Sequence, residues 1–165
     1  MGSSHELAEV NIALAREPLD TPLLAEFMAL LDPVNARADG APGFVWRMQT
    51  EDGDATGVRG FGDDPQLIIN LTVWETLEAM REFVYNDPAH VQVMRKRRSW
   101  FERLDLYTVL WWVPSGHRPS VAEAEGRLEH LREHGPSPVA FTFRHHFDSP
   151  GSVEEHIDER WYCGV

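Results

Sequence analysis

The residues best suited to chemistry lie on two strand-like runs and one helical run. Asn70, Thr72 and Trp74 alternate through the apolar stretch Gln66–Trp74. A period of two puts all three on one face, opposite Ile69, Leu71 and Val73. An asparagine buried among such neighbours must be paired. It would hold a ligand oxygen beside an indole wall, or tie down a neighbouring loop. Asn11 sits opposite Val10 and Ile12 in the run His5–Leu14, on the same side as Leu7, Glu9 and Ala13. If these two strands are neighbours, Asn11 and Asn70 make a polar island in an apolar cavity, the usual form of a small-molecule site. The alternative is a mutual amide pair with a purely structural role. His90 shares a helical face with Met94, Arg97 and Phe101. It would act as a general base near neutral pH, as an axial haem ligand, or only as a helix-start residue that bonds backbone.

Other candidates are the walls and the mouth. There are six tryptophans. Trp46, Trp74 and Trp112 can form flat surfaces for an aromatic ligand, although indoles serve packing equally well. Trp111 and Trp112 are adjacent on a strand, so they face opposite sides. Arg47 would bind an acidic ligand group or pair with a carboxylate. His117, in Gly-His-Arg-Pro, would line the mouth or fix its loop. His145, His146 and His156 lie in a polar tail without the usual metal-ligand spacing, so no metal is expected. Phosphate loops, dinucleotide glycine motifs and nucleophile elbows are absent, which disfavours nucleotide and serine-hydrolase chemistry.

The elements that must position these groups follow from periodicity. A strand covers 5–14. Thr21-Pro22 opens a helix with an apolar stripe of Leu23, Leu24, Phe27, Leu30, Leu31 and Val34, closed at Asp39-Gly40. A strand spans 43–49, and a polar loop about 50–64. The strand over 66–74 leads into a helix near Glu75, which Asp87-Pro88 restarts and which runs to about Phe101. A fourth strand covers Tyr107–Val113. Ser120 caps a helix to His134, with Glu123 at the capping-box position. Val139–Phe143 reads as a short edge strand. The order β-α-β-β-α-β is ferredoxin-like and α+β. It gives one domain over residues 1–144, with a core at about 5–114, an extension at 115–144 and a polar tail at 145–165.

Four strings carry a resemblance: Gly43-Phe44-Val45-Trp46-Arg47, Asn70-Leu71-Thr72-Val73-Trp74-Glu75, Phe83-Val84-Tyr85 on to Trp100-Phe101, and Leu110-Trp111-Trp112-Val113-Pro114 with Gly116-His117-Arg118-Pro119. Together they resemble the DUF3291 family, similar to the dimeric α/β-barrel superfamily of antibiotic-biosynthesis monooxygenases. The resemblance implies two subunits pairing their sheets into a barrel, with a pocket between each sheet and its helices. It also implies cofactor-free chemistry. Asn70 and Trp74 match an asparagine and a tryptophan used by cofactor-free anthrone oxygenases of that superfamily, and other branches bind haem.

Composition bounds the rest. The 165 residues carry 27 acidic against 15 basic side chains, a formal charge of -12. Such a field repels a phosphate backbone, so nucleic acid is not an expected partner. No apolar run reaches membrane-helix length, and there is no secretory signal. The single cysteine, Cys163, cannot form an internal disulfide and fits a reducing cytoplasm. Both faces of the third and fourth strands are apolar, which predicts a homodimer whose partner sheet covers one of them. The expected function is a cofactor-independent, monooxygenase-like enzyme, or a cyclase or isomerase, acting on an apolar or aromatic small molecule. In it Asn11 and Asn70 hold an oxygen and His90 takes a proton. The alternative is a non-catalytic metabolite- or haem-binding barrel, with His90 or His117 as the haem ligand.

Overall fold

A computed structural model describes residues 4–49, 61–151 and 154–158. Most of the polar loop, together with Trp161 and Cys163, lies outside the described residues. Four strands, β1 (His5–Leu14), β2 (Phe44–Arg47), β3 (Leu67–Trp74) and β4 (Thr108–Pro114), form an antiparallel sheet in the order β2-β3-β1-β4. That is the ferredoxin-like order expected from the sequence. The helices are α1 (Pro22–Asp39), α2 (Leu77–Asn86), α3 (Pro88–Trp100) and α4 (Val121–His134). No helix among the described residues is long and apolar enough to cross a membrane.

Local signals explain the boundaries. Pro22 opens α1, and Thr76 caps α2 by accepting from the Ala79 amide. Asp87 caps α3 through the Ala89 and His90 amides, and Ser120 caps α4 through the Glu123 amide. Gly43 precedes β2 at φ +78°, where an added Cβ would lie 2.5 Å from the Ala79 side chain. Only glycine lets β2 approach α2 that closely.

Strand alternation divides the core. Facing one way are Ala8, Val10, Ile12, Leu71, Val73, Val109 and Trp111, which cluster with Ala124, Leu128 and Leu131 of α4. Leu71, Val73, Val109 and Trp111 are fully buried within the single chain. The apolar face that was expected to need a partner's sheet is therefore covered by the chain's own α4. The opposite face of the sheet meets α1, α2 and α3.

The C-terminal part differs from expectation in two ways. Val139–Phe143 forms no strand; Phe141 alone exchanges two backbone hydrogen bonds with Leu110, at 2.8 and 2.9 Å, on the free edge of β4. The polar tail also folds back. β5 (His145–Phe147) pairs with β6 (Glu155–Ile157), and Phe147 is buried beside Phe141. One large ring fixes a segment whose other residues are mostly polar, so its periodicity is weak.

Candidate functional site

The helix-facing side of the sheet consists of cross-strand rows set by register. One row is aromatic and aliphatic: Phe44, Trp74, Leu7 and Trp112. The next holds Arg47, Thr72, Glu9 and Leu110, and the third Asn70, Asn11 and Thr108. A cavity of about 240 Å3 opens between these rows and helices α1, α2 and α3. Its roof is apolar, with Leu30, Leu31 and Val34 of α1 facing Phe83, Val93 and Met94. Part of the α1 stripe thus lines space instead of filling it.

Glu9 is the unexpected centre. It is 3% exposed on an inner strand of the sheet. Asn11 Nδ2 donates to its Oε1 at 2.9 Å, and Thr72 Oγ1 donates to its Oε2 at 3.2 Å. The Trp74 indole N–H donates to the Thr72 oxygen at 3.0 Å, which commits the hydroxyl proton to Glu9. Burial pushes the Glu9 pKa up from 4.5 to about 7; the Asn11 and Thr72 bonds and the charge of Arg97 oppose this without cancelling it. Among the described residues no cation lies within 4.0 Å of Glu9. The sequence showed Glu9 on the same strand face as Asn11. What it did not show is that the face is dry.

His90 reaches the cavity through a backbone consequence. Pro88 has no N–H, so the Val84 carbonyl loses its normal helical partner. His90 Nδ1 lies 2.8 Å from that oxygen and donates to it. The bond fixes the neutral tautomer, with the proton on Nδ1 and a lone pair on Nε2. Burial lowers the His90 pKa, so the ring is neutral at pH 7. Asp87 binds Arg37 of α1 at 2.7 Å, and that bond is the main reason its pKa lies below the usual carboxylate value.

Of the other sequence candidates, Asn11, Asn70, Thr72, Trp74, Arg47 and Met94 all line the cavity. Asn11 and Asn70 are register partners as expected, yet Asn11 bonds Glu9, so a mutual amide pair does not form. Arg47 is held by Asp39, with Nε–Oδ1 at 2.8 Å and a second contact at 3.3 Å. Three candidates fall elsewhere. Trp46 faces the α4 side, because a bulge between Phe44 and Trp46 reverses the alternation and turns Phe44 and Arg47 inward instead. Trp112 has the correct face but the wrong end; Phe141 packs on it, and its indole bonds the Phe147 carbonyl at 2.8 Å. His117 is exposed in the loop after β4 and pairs with Glu123 at 2.7 Å.

The cavity sits at the small end of ligand sites. Its volume matches one or two rings and is smaller than a porphyrin. In the β5–β6 hairpin, Asp148, Glu154 and His156 bring ligating atoms within 4.8 Å of one another, and His156 is bonded to Asp148 at 3.2 Å.

The fold is similar to several solved structures. SnoaB, a cofactor-independent oxygenase from Streptomyces nogalater, is 17% identical, with TM-score 0.44 over 68% of this chain and 95% of that one. PA3566 from Pseudomonas aeruginosa is 10% identical, with TM-score 0.47 over 69% and 97%. NE2512 from Nitrosomonas europaea, of unknown function, is 15% identical, with TM-score 0.44 over 72% and 97%. No curated protein matches the sequence. The family pattern of DUF3291, a domain of unknown function, spans residues 6–157, and the chain belongs to that family.

Proposed function

We propose that the chain is a cofactor-independent enzyme that removes a proton from a small, largely apolar aromatic molecule, with Glu9 as general base. One observation carries this reading: a carboxylate with a pKa near 7 is buried on the floor of an apolar cavity, with no cation in contact among the described residues. A base is most effective when its pKa lies near the working pH. Asn11 and Thr72 fix both oxygens, so the carboxylate does not reorient as it accepts the proton. The neutral His90 Nε2 is a second proton acceptor at the α3 side. Asn70 offers an amide to a ligand oxygen.

The substrate anion that results is electron-rich. In the monooxygenase-like course, dioxygen takes its electrons at an activated CH2 carbon. One oxygen atom stays as a carbonyl and the other leaves as water with the two hydrogens. Reprotonation at another carbon would give an isomerase with the same first step.

The test reads that first step directly. One- and two-ring enolisable ketones and phenols are incubated in D2O, and exchange of the acidic C–H is followed by NMR, alongside dioxygen uptake. Exchange should rise with pH through about 7. Glu9→Gln should slow it by about a hundredfold or more, the usual worth of a positioned base. Binding without exchange in the wild type would make the cavity a store for a metabolite and overturn the enzyme reading.

A further inference from the structure

Arg97 is the charged group that this mechanism leaves unused. It lines the cavity from α3, one turn beyond Met94. One NH2 donates to the Ile12 carbonyl at 3.2 Å. Its guanidinium carbon lies 4.4 Å from the Tyr107 ring centre and 5.6 Å from that of Phe101. Rings and a carbonyl hold the plane in place but do not neutralise it. Among the described residues, no carboxylate lies within 4.0 Å of it. The contrast with Arg47 is direct, since Arg47 borders the same cavity and is held by Asp39.

The groups facing Arg97 come from every wall. They are Glu9 from β1, Tyr107 from the turn into β4, Tyr85 from α2, His90 from its own helix, and Arg47 from β2, which is paired with Asp39 of α1. His90 is neutral, and Arg47 and Asp39 cancel. Glu9 feels Arg97 electrostatically but does not touch it, so the two flank a gap.

We propose that Arg97 is an anion subsite, and that the ligand is a one- or two-ring aromatic molecule whose anionic oxygen, phenolate or carboxylate, docks on the guanidinium between Arg97 and Glu9. The proposal rests on the proton-transfer reading and narrows its substrate class. A phenol that enters neutral gives its proton to Glu9 and leaves its oxygen on Arg97. A carboxylate that enters charged reaches the same charge state when Glu9 is already protonated, so it fills the subsite as an inhibitor and not as a substrate. Either way the complex holds one cation, one anion and a neutral Glu9. Burial of Arg97 lowers its pKa, and an anion in contact with it relieves that cost.

Three probes of similar size separate the possibilities: 4-nitrophenol, benzoate and nitrobenzene, titrated into the full-length protein by calorimetry. Both acids should bind at least about tenfold tighter than nitrobenzene, the worth of one charge-assisted hydrogen bond. Bound 4-nitrophenol should show the phenolate absorption band at a pH where the free molecule is still protonated. Benzoate, ionised throughout, should bind more tightly as pH falls through about 7 and Glu9 takes up its proton. Arg97→Gln should erase the preference and leave nitrobenzene binding unchanged. Arg97→Lys, which keeps the charge, should restore part of it. Equal affinity for all three probes in the wild type overturns the proposal without any variant. So does an anion preference that survives Arg97→Gln in protein with an unaltered melting curve. A preference for 4-nitrophenol alone assigns the subsite to phenolates, and for benzoate alone to carboxylates. Failure of every probe to bind overturns the cavity reading with it. Loss of C–H exchange in Glu9→Gln without any anion preference leaves the base in place and removes only the subsite.

Discussion

The two faces of the same four strands are built to opposite specifications. On the α4 side the rows read Trp46, Val73, Ala8, Trp111 and then Leu71, Val10, Val109. Every one is apolar, and the small and branched side chains of α4 fill the space above them. The fully buried Trp111 indole N–H needs a partner, and it finds Glu123 at 3.0 Å. On the other side the matching rows carry Arg47, Thr72, Glu9, Asn70 and Asn11. There α1 and α3 leave a gap that they do not fill. One residue of offset along a strand separates a dry, close-packed layer from a polar floor. A face that spends its burial on stability is filled; a face that keeps polar groups near an unfilled cavity forgoes some stability for reactivity.

That contrast can be broken from either side. The largest effect is expected from Trp111→Ala, which should cost about 3–5 kcal/mol of unfolding free energy. Denaturant midpoints measure it, and binding of cavity ligands by the folded fraction should not change. Glu9→Gln should act with the opposite sign. The folded-state pKa is raised, so the native chain holds a proton that the unfolded chain releases. Stability falls as pH rises from about 4.5 to about 7 and then levels off, a loss of about 3 kcal/mol at about 1.4 per pKa unit. The variant should lack this slope and be more stable than the wild type above pH 7, while losing proton transfer. A wild-type melting temperature flat across that range would show that Glu9 is not raised. Next is Thr72→Val, which removes a donor that favours the charged form of Glu9. Stability should drop by about 1 kcal/mol, and the activity midpoint should move to higher pH by up to about one unit. A midpoint moving down would mean that the hydroxyl accepts from Glu9 instead. The smallest effect belongs to His117→Ala, which should change stability by less than about 0.5 kcal/mol and ligand affinity not at all.

Much of the scaffold was legible because its signals are local. The cap at Ser120, the restart at Asp87-Pro88 and the stripe on α1 are each decided by neighbours within a few positions. The same holds for the faces of Asn70, Thr72 and Trp74, and for the turn-by-turn alignment of His90, Met94, Arg97 and Phe101. What was not legible depends on contacts between distant segments. Glu9 shares the Asn11 face in the sequence, but only the closing of α1 and α3 over that face makes it a buried carboxylate. Trp46 reads as a wall residue until the bulge at Val45 turns it over. Trp112 reads the same way until Phe141 and Phe147, some thirty residues on, occupy the space in front of it. The apolar outer face was read correctly as needing cover. Which segment supplies the cover is a tertiary fact that periodicity does not contain.

The β2 bulge makes the cavity wall sensitive to how the strand pairs as well as to side-chain identity. Phe44, Trp46 and Arg47 face in, out and in because they pair with Trp74, Val73 and Thr72 in succession while Val45 stands outside the ladder. Deleting Val45 would therefore leave all three faces as they are. Drawing Val45 into the ladder would change them: pairing held at Arg47 would send Phe44 outward, while pairing held at Phe44 would bring the indole in and send the guanidinium out. The pairing of one residue thus trades a cationic wall for an aromatic one without any substitution. Among relatives of this chain, the presence or absence of this bulge should therefore sort ligand chemistry more sharply than the identity of any one residue between Gly43 and Arg47.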